Sequence, residues 1–314
     1  MLSLLVGVEL RSLPKKQTIF SKMRRRPVSH LLDFLLFSNL FIAICAMAQG
    51  ALTYLLLGTN PDYGILALLG CATFSLYNFS MILAKPKSPL NSPHRRPRWI
   101  YSHYKFIVAL TVLSSIALLP LAIQLGSQSA IVLGLAALIA ISYNLPLFKR
   151  ATDREGLRSL PGAKVFIIAL VWTLSCVCLP IAALDDSGHL VSVSDKWILS
   201  VKRFLFITAI TIPFDMRDVL QDKQYNLKTI PVILGERKAN LFCQAILVLY
   251  VVLLLLFVNQ VTIATIGLIL VTLLTAWLVF RSSWKKDEYY YFLFLDGTLI
   301  LQFLVVFILN NYFV

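Results

Sequence analysis

Charge is what this chain has least of. Only 14% of its 314 residues are Asp, Glu, Lys or Arg, against roughly 25% in an average soluble domain, so a water-soluble globule is excluded as the main reading. Acidic residues are the scarcer sign. Asp and Glu number 15 against 29 Lys and Arg, and no carboxylate falls between Asp62 and Asp153. Cysteine is sparse and unpatterned: Cys45, Cys71, Cys176, Cys178 and Cys243 all lie within apolar runs. Their spacing fits neither a disulfide framework nor a zinc site, and buried inert thiols are expected. Between the apolar runs there is no stretch long enough for a soluble domain.

What fills the chain instead is hydrocarbon. Hydrophobic residues make up 58% of it and the mean hydropathy is +0.79. Apolar runs of about the 20 residues needed to cross a bilayer recur throughout. They fall near 30–58, 64–84, 104–125, 129–148, 161–184, 197–214, 239–259, 261–280 and 291–313. The runs lack the alternation of barrel strands, so an all-α integral membrane bundle of about nine transmembrane helices is predicted. The first run is longer than a signal peptide's core of about 7–15 residues and reads as a retained helix. Residues 1–28 form a basic segment, and residues 29–314 read as a single transmembrane domain.

The net charge of +14 is distributed as topology. All Lys and Arg except Lys196, Lys202 and Arg203 lie in five segments: residues 1–28, 85–105, 149–164, 217–238 and 281–286. These alternate with apolar pairs, which is the positive-inside pattern for a multi-pass protein with a cytoplasmic N-terminus. The basic charge then serves orientation and anionic lipid, and nucleic acid is not expected as a partner. The longest connections fall on that basic side, so function is expected there or in a cavity opening there. Asp33, Lys202, Arg203 and Asp296 stand inside apolar runs, where unpaired charge is expensive; pairing with one another or placement near a helix end would relieve them.

One stretch concentrates the scarce acid. In FDMRDVLQDKQYNLKTIPVILGE, residues 214–236, Asp215, Asp218 and Asp222 are spaced i, i+3, i+7 and fall on one stripe of a helix. Like charges so placed repel unless a cation sits among them. Mg²⁺ suits the position, because it is commonly held by one or two carboxylates plus substrate phosphates. Lys228, Thr229, Pro231 and Gly235 then look like a loop re-entering a helix.

This stretch resembles the second aspartate-rich motif of the UbiA-type membrane prenyltransferases, whose nine helices and cytoplasm-facing cavity match the reading above. YNLPLFKR is similar to another family segment through Tyr143, Pro146 and Lys149, and NSPHRRP resembles the end of the first motif through Asn91, Pro93 and Arg95. The first motif's carboxylates are missing: aligning Asn78 with its asparagine puts Phe79, Ile82 and Pro86 where the family has aspartates. The resemblance implies ionisation of a prenyl diphosphate and transfer of the prenyl group to an aromatic or other hydrophobic acceptor. It implies Mg²⁺ on Asp215, Asp218 and Asp222. It implies phosphate contacts from Arg95, Lys149 and Lys228, with Arg150, Arg158 and Lys164 as further candidates. Tyr77, Asn78 and Tyr143 would be polar groups of the cavity, and a bacterial inner membrane would be the site. The missing cluster keeps two other readings open, a prenyl cyclase and a non-catalytic isoprenoid-binding protein. A transporter is a more distant one.

Overall fold

The computed structural model describes residues 27–83, 90, 95–144, 148–149, 154–155, 162–224, 227–257 and 262–313. The expected basic segment 1–28 thus lies almost wholly outside them, as do Asn91, Pro93, Pro146, Arg150 and Arg158.

Each of the nine apolar runs coincides with a helix or a broken helix. Pro27–Phe37 (α1) and Leu40–Leu56 (α2) share the first run, followed by Tyr63–Leu83 (α3), Tyr104–Ile123 (α5) and Ser127–Asn144 (α6). Ala163–Thr173 (α7) and Leu179–Asp186 (α8) are joined by a π-helical turn, Leu174–Cys178, into one span. Then come Val193–Arg217 (α9), Glu236–Leu256 (α12), Ile263–Arg281 (α13), and the π-helical Tyr290–Leu295 that leads into Gly297–Phe313 (α14). Among the described residues, seven helices are long and apolar enough to cross a membrane, or eight if the bent first pair counts as one span. The shorter α6 occupies the fourth run. The protein is a helical membrane bundle, and the count of nine crossings rests on how the bent pair and α6 are treated.

Short elements decorate one end. Arg95–Ser102 (α4) precedes α5, and Val219–Gln224 (α10) and Ile230–Leu234 (α11) follow α9. Two-residue strands Phe148–Lys149 (β1) and Arg154–Glu155 (β2) pair antiparallel between α6 and α7. Because the helices run alternately up and down, the connections after α3, α6, α9 and α13 gather at this end. Among the described residues the opposite end holds only short turns. The expected re-entrant loop is α11: Thr229 sits at its N-cap, Pro231 in its first turn, and Gly235 (φ 81°) ends it in a backbone conformation that favours glycine.

Packing runs from neighbour to neighbour through α3, α2, α14, α13, α12, α9, α7 and α6. The main core joins Cys45 and Leu52 of α2, Ala169 of α7, Phe206 and Ile210 of α9, Tyr250 of α12 and Leu299 of α14. Outward faces carry exposed Leu113, Leu119, Leu138, Leu256, Leu270 and Phe280, the surface a bilayer would cover. Several polar groups inside the bundle bond backbone carbonyls of neighbouring helices. Gln49 donates to the Leu299 carbonyl (2.6 Å), Thr53 to that of Cys176 (2.6 Å), and Arg203 to the Gln49 carbonyl (3.3 Å). Cys45, Cys176 and Cys243 are buried, and Cys71 and Cys178 half-buried.

Candidate functional site

A cavity of about 730 Å³ lies between α2, α3, α7, α9 and α14 and is closed at one side by α4. Its polar lining is concentrated in a few groups: Asn39, Arg96, Lys164, Asp215, Arg217, Asp218 and Asp296. Elsewhere it is mainly aliphatic and aromatic, including Ile42, Ile168, Val171, Ile207, Ile210 and Leu299 with Tyr77, Trp172, Phe214 and Phe292, interrupted by Ser80 and Thr211. A carboxylate and basic cluster at the end of an apolar chamber suits an amphiphile with an anionic head.

The acidic group forms where α9 ends. The N–H of Asp218 still reaches the Phe214 carbonyl (3.1 Å) and that of Asp222 the Asp218 carbonyl (2.9 Å), so α9 passes into α10 with little break. Asp215 and Asp218 line the cavity; Asp222 is not among its lining residues. Lys164, at the start of α7, pairs with Asp215, which is only 1% exposed. Arg217 holds Asp218 through two parallel bonds, Nε to Oδ1 at 2.8 Å and Nη2 to Oδ2 at 2.9 Å. Asp222 accepts from the Thr229 hydroxyl at 3.1 Å, because the chain returns across it: the Leu227 N–H bonds the Asp222 carbonyl at 2.8 Å. Burial, with Asp215 and Asp218 nearby, raises its pKa above the usual carboxylate value; Lys164 and the Thr229 bond oppose this.

The opposite wall departs from the expected basic set. Arg96, not Arg95, faces the cavity. Arg95 points into a separate pocket with Trp99 and His103, where its guanidinium meets Asp33 (3.4 Å) and the Tyr289 hydroxyl (3.2 Å). That pairing, reinforced by Tyr289 on Asp33, satisfies one of the charges found within the first apolar run. The N–H groups of Arg95 and Arg96 both donate to the Glu288 carboxylate, at 2.7 and 3.0 Å, which fixes α4 against the segment before α14. The Arg96 side chain lies over the Phe292 ring and donates to Asn39. Asn39 donates in turn to Asn78 (2.8 Å), whose amide reaches the Ser38 and Phe74 carbonyls, both at 3.1 Å. Asn78 is therefore fully buried behind the wall, holding Asn39 in place. Burial and the nearby Arg217 charge pull the Arg96 pKa down to about 10, which leaves it a cation at neutral pH.

The remaining expected residues separate. Tyr143 lines the cavity, and so does Tyr77, whose hydroxyl accepts from the Trp172 indole at 3.4 Å. Lys228 is exposed and contributes its carbonyl to the Gly162 N–H (2.9 Å). Lys149 is placed only as part of β1. Phe79, at one of the positions where acid is missing, is 44% exposed on the outer face of α3. The residues that were not foreseen, Arg96 and Arg217, lie one position from ones that were; only the helix phase of α4 and the turn after α9 decides which points inward.

Among the described residues, no three carboxylate, His or Cys side chains converge as a complete metal cage. Two carboxylates facing a chamber that could hold a diphosphate are nonetheless the donor set Mg²⁺ commonly takes, with phosphate oxygens and water completing the shell. The residues fit a shared protein–substrate site for one such ion.

Comparison with curated proteins gives no match. Among solved structures, a UbiA homolog from Archaeoglobus fulgidus bound to GPP and Mg²⁺ superposes with a TM-score of 0.64 at 14% identity, covering 89% of this chain and 99% of that one. The same homolog bound to DMAPP and Mg²⁺ gives 0.63, also at 14% identity and with the same coverage. A UbiA homolog from Aeropyrum pernix K1 gives 0.60 at 16% identity, over 87% of this chain and 96% of that one. At such identities these likenesses establish the fold. The model of the UbiA prenyltransferase family matches residues 99–297, which is most of the chain, and this protein belongs to that family.

Proposed function

We propose that the chain is a membrane prenyltransferase that takes the prenyl group from an isoprenoid diphosphate and passes it to a hydrophobic acceptor. The observation that carries this is the single cavity in which Asp215, Asp218, Lys164, Arg96 and Arg217 stand at the end of an apolar chamber. The diphosphate sits among the basic groups and the prenyl chain lies along Ile168, Ile207 and Leu299.

Asp215 and Asp218 would hold Mg²⁺, which when bound neutralises charge on the leaving diphosphate. Lys164, which pairs with Asp215, would be placed to meet a phosphate oxygen of the bound diphosphate. Arg96 supplies from the α4 wall what the missing first acidic cluster would otherwise have recruited: positive charge against the diphosphate. A carboxylate-bound metal and a guanidinium present the same sign to the leaving group, and the guanidinium needs no ligands of its own. Among the described residues its Nε is buried with no hydrogen-bond partner, as is Nη1 of Arg217, so each brings an unused donor to the site. The rings of Trp172, Tyr77, Phe214 and Phe292 offer faces to the carbon that becomes electron-poor as its bond to oxygen lengthens. The apolar walls keep water from capturing it.

The test is diphosphate release by purified protein in nanodiscs, fed geranyl diphosphate and Mg²⁺ with and without a mixed pool of aromatic acceptors. Acceptor-dependent release that falls at least about a hundredfold in Asp218→Asn, and stops with chelator, supports the reading. Release that ignores both changes overturns the assigned site. Release that needs no acceptor makes the protein a cyclase, and binding without release makes it a carrier.

A further inference from the structure

α4 is a wall between two cavities. Arg96 faces the central chamber, and Arg95 faces a second cavity of about 660 Å³ formed by α1, α4 and the start of α5 at the basic end of the bundle. That volume is in the usual range of small-molecule sites, roughly 300–1,000 Å³. Its lining divides by chemistry. One part is aromatic: Phe34 and Phe37 of α1 each lie 6.3 Å from the Trp99 ring, and Phe34 also meets Phe106 at 6.2 Å. The other part is basic. Arg95, Arg98, His30 and His103 stand there against Asp33, the single carboxylate among the lining residues.

The basic groups keep donors in hand. Both side-chain hydrogen bonds of Arg95, to Asp33 and to the Tyr289 hydroxyl, leave from Nη2, so the Nε and Nη1 edge of its fork is turned to neither. His103 stacks on Trp99 at 4.5 Å, and its Nδ1 faces the Trp99 carbonyl at 2.9 Å, where it can only donate; Nε2 is left for another partner. Asp33 is spent inside the wall: it is buried, and its Oδ1 takes both Arg95 and Tyr289. Arg98, Ser102 and His103 are exposed, and so are Leu90 (59%) and Phe106 (49%). Cations and bare apolar side chains therefore share one rim.

We propose that this outer cavity binds an anionic phospholipid, whose phosphate meets Arg95, Arg98 and His103 and whose first acyl carbons lie on Leu90 and Phe106. A guanidinium fork takes phosphate oxygens in pairs. A soluble anion would leave the apolar half of the rim in water, and a zwitterionic lipid would bring its ammonium against the same arginines. Basic loops place this end at the cytoplasmic leaflet, which is the anionic one, and an indole beside the cations suits the headgroup level. The site holds whichever reaction the central chamber performs.

The experiment is the melting temperature of the full chain in neutral detergent with dioleoyl phosphatidylglycerol, dioleoyl phosphatidylcholine or glycerol phosphate added. Phosphatidylglycerol should raise it by about 3 °C or more beyond phosphatidylcholine, and glycerol phosphate should leave it unchanged. Arg98→Gln combined with His103→Gln should remove more than half of that difference. Arg237→Gln combined with Lys238→Gln, which removes two exposed cations elsewhere at the same end, should keep it. Equal shifts from the two lipids overturn the inference, as does equal loss in the two double variants, which would make the effect one of overall charge. A full shift from glycerol phosphate overturns it too, in favour of a soluble phosphate ester. Should the cavity variant fail to fold, Ser102→Trp fills the cavity from its exposed rim and should remove the same difference; a difference kept there overturns the site equally.

Discussion

Arg95 and Arg96 are adjacent, chemically identical and separated in role by the rotation of one helical step. Residue type and spacing pointed to a cation at this place; they did not resolve which of the pair turns inward, because α4 is a short helix whose phase is set by Glu288 and Phe292 from a segment two hundred residues away. The distinction is measurable. Arg96→Gln should lower kcat/KM for geranyl diphosphate at least about a hundredfold, since a charge-assisted phosphate contact is lost from a desolvated site. Arg95→Gln should change it no more than about fivefold while lowering thermal stability, because it removes the Arg95 guanidinium from the buried Asp33 carboxylate. Equal losses in the two variants would place both at the diphosphate. Asp222 gives a second contrast at this scale. The spacing grouped it with Asp215 and Asp218, yet its carboxylate turns to Thr229. Its pKa in the folded protein is raised, so its contribution favours folding below the unfolded value near 4 and is lost as pH rises through the folded value. Asp222→Asn keeps the acceptor oxygen for Thr229 and removes the buried charge. The variant should therefore melt at the same temperature as the native protein or higher at pH 7–8, with the difference vanishing toward pH 4, and retain turnover that Asp215→Asn loses. A melting temperature clearly lower at pH 8 would assign Asp222 a structural charge pair.

At the scale of elements, apolar runs located every long helix because a span must be both continuous and about 20 residues long. What they concealed was the break in the first of them. α1 and α2 meet at 62° with neither proline nor glycine between Phe37 and Leu40. The bend is carried by Asn39, which adopts φ 70°. Asparagine is one of the few residues that enters the left-handed region readily. Its side chain then points to Arg96 and Asn78 at once, so the bend is also what brings a polar group to the cavity wall. Two substitutions separate the backbone role from the side-chain role. Asn39→Gly and Asn39→Ala both remove the support of Arg96, and both should raise KM for geranyl diphosphate to a similar extent. Only alanine is strained in the left-handed region, so Asn39→Ala should be less stable than Asn39→Gly by about 1 kcal/mol, read as a lower melting temperature in detergent. Equal melting temperatures would mean the bend relaxes when the side chain is lost. The π-helical segment before Asp296 was equally hidden, since Tyr290–Leu295 is as apolar as an ordinary helix and its register is set by packing.

For the whole molecule, the uneven distribution of charge and the distribution of function coincide. Arg96, Lys164, Asp215, Arg217 and Asp218 all lie at the end where the connections after α3, α6 and α9 gather, which is the end carrying most of the basic residues. Lys and Arg alone predict a side of the membrane, because retention of basic loops in the cytoplasm depends on their number near the spans and not on fold detail. The cavity was not readable, because aliphatic residues facing a chamber and those facing lipid are the same residues. Ile168 lines the chamber and Leu170 faces outward on the same α7. The topology prediction is that the diphosphate site opens to the cytoplasm. Cysteine labelling with a membrane-impermeant maleimide tests it with little background, since three native cysteines are buried and the other two lie half-buried within spans. Lys223 is exposed beside the acidic cluster and His189 is exposed in the turn between α8 and α9 at the opposite end. His189→Cys should label in intact spheroplasts of an expression host, and Lys223→Cys only after the membrane is permeabilised. The reverse pattern would turn the whole bundle over: the anionic head of the substrate would enter from outside, and the basic end would face away from the anionic inner leaflet that its charge suits.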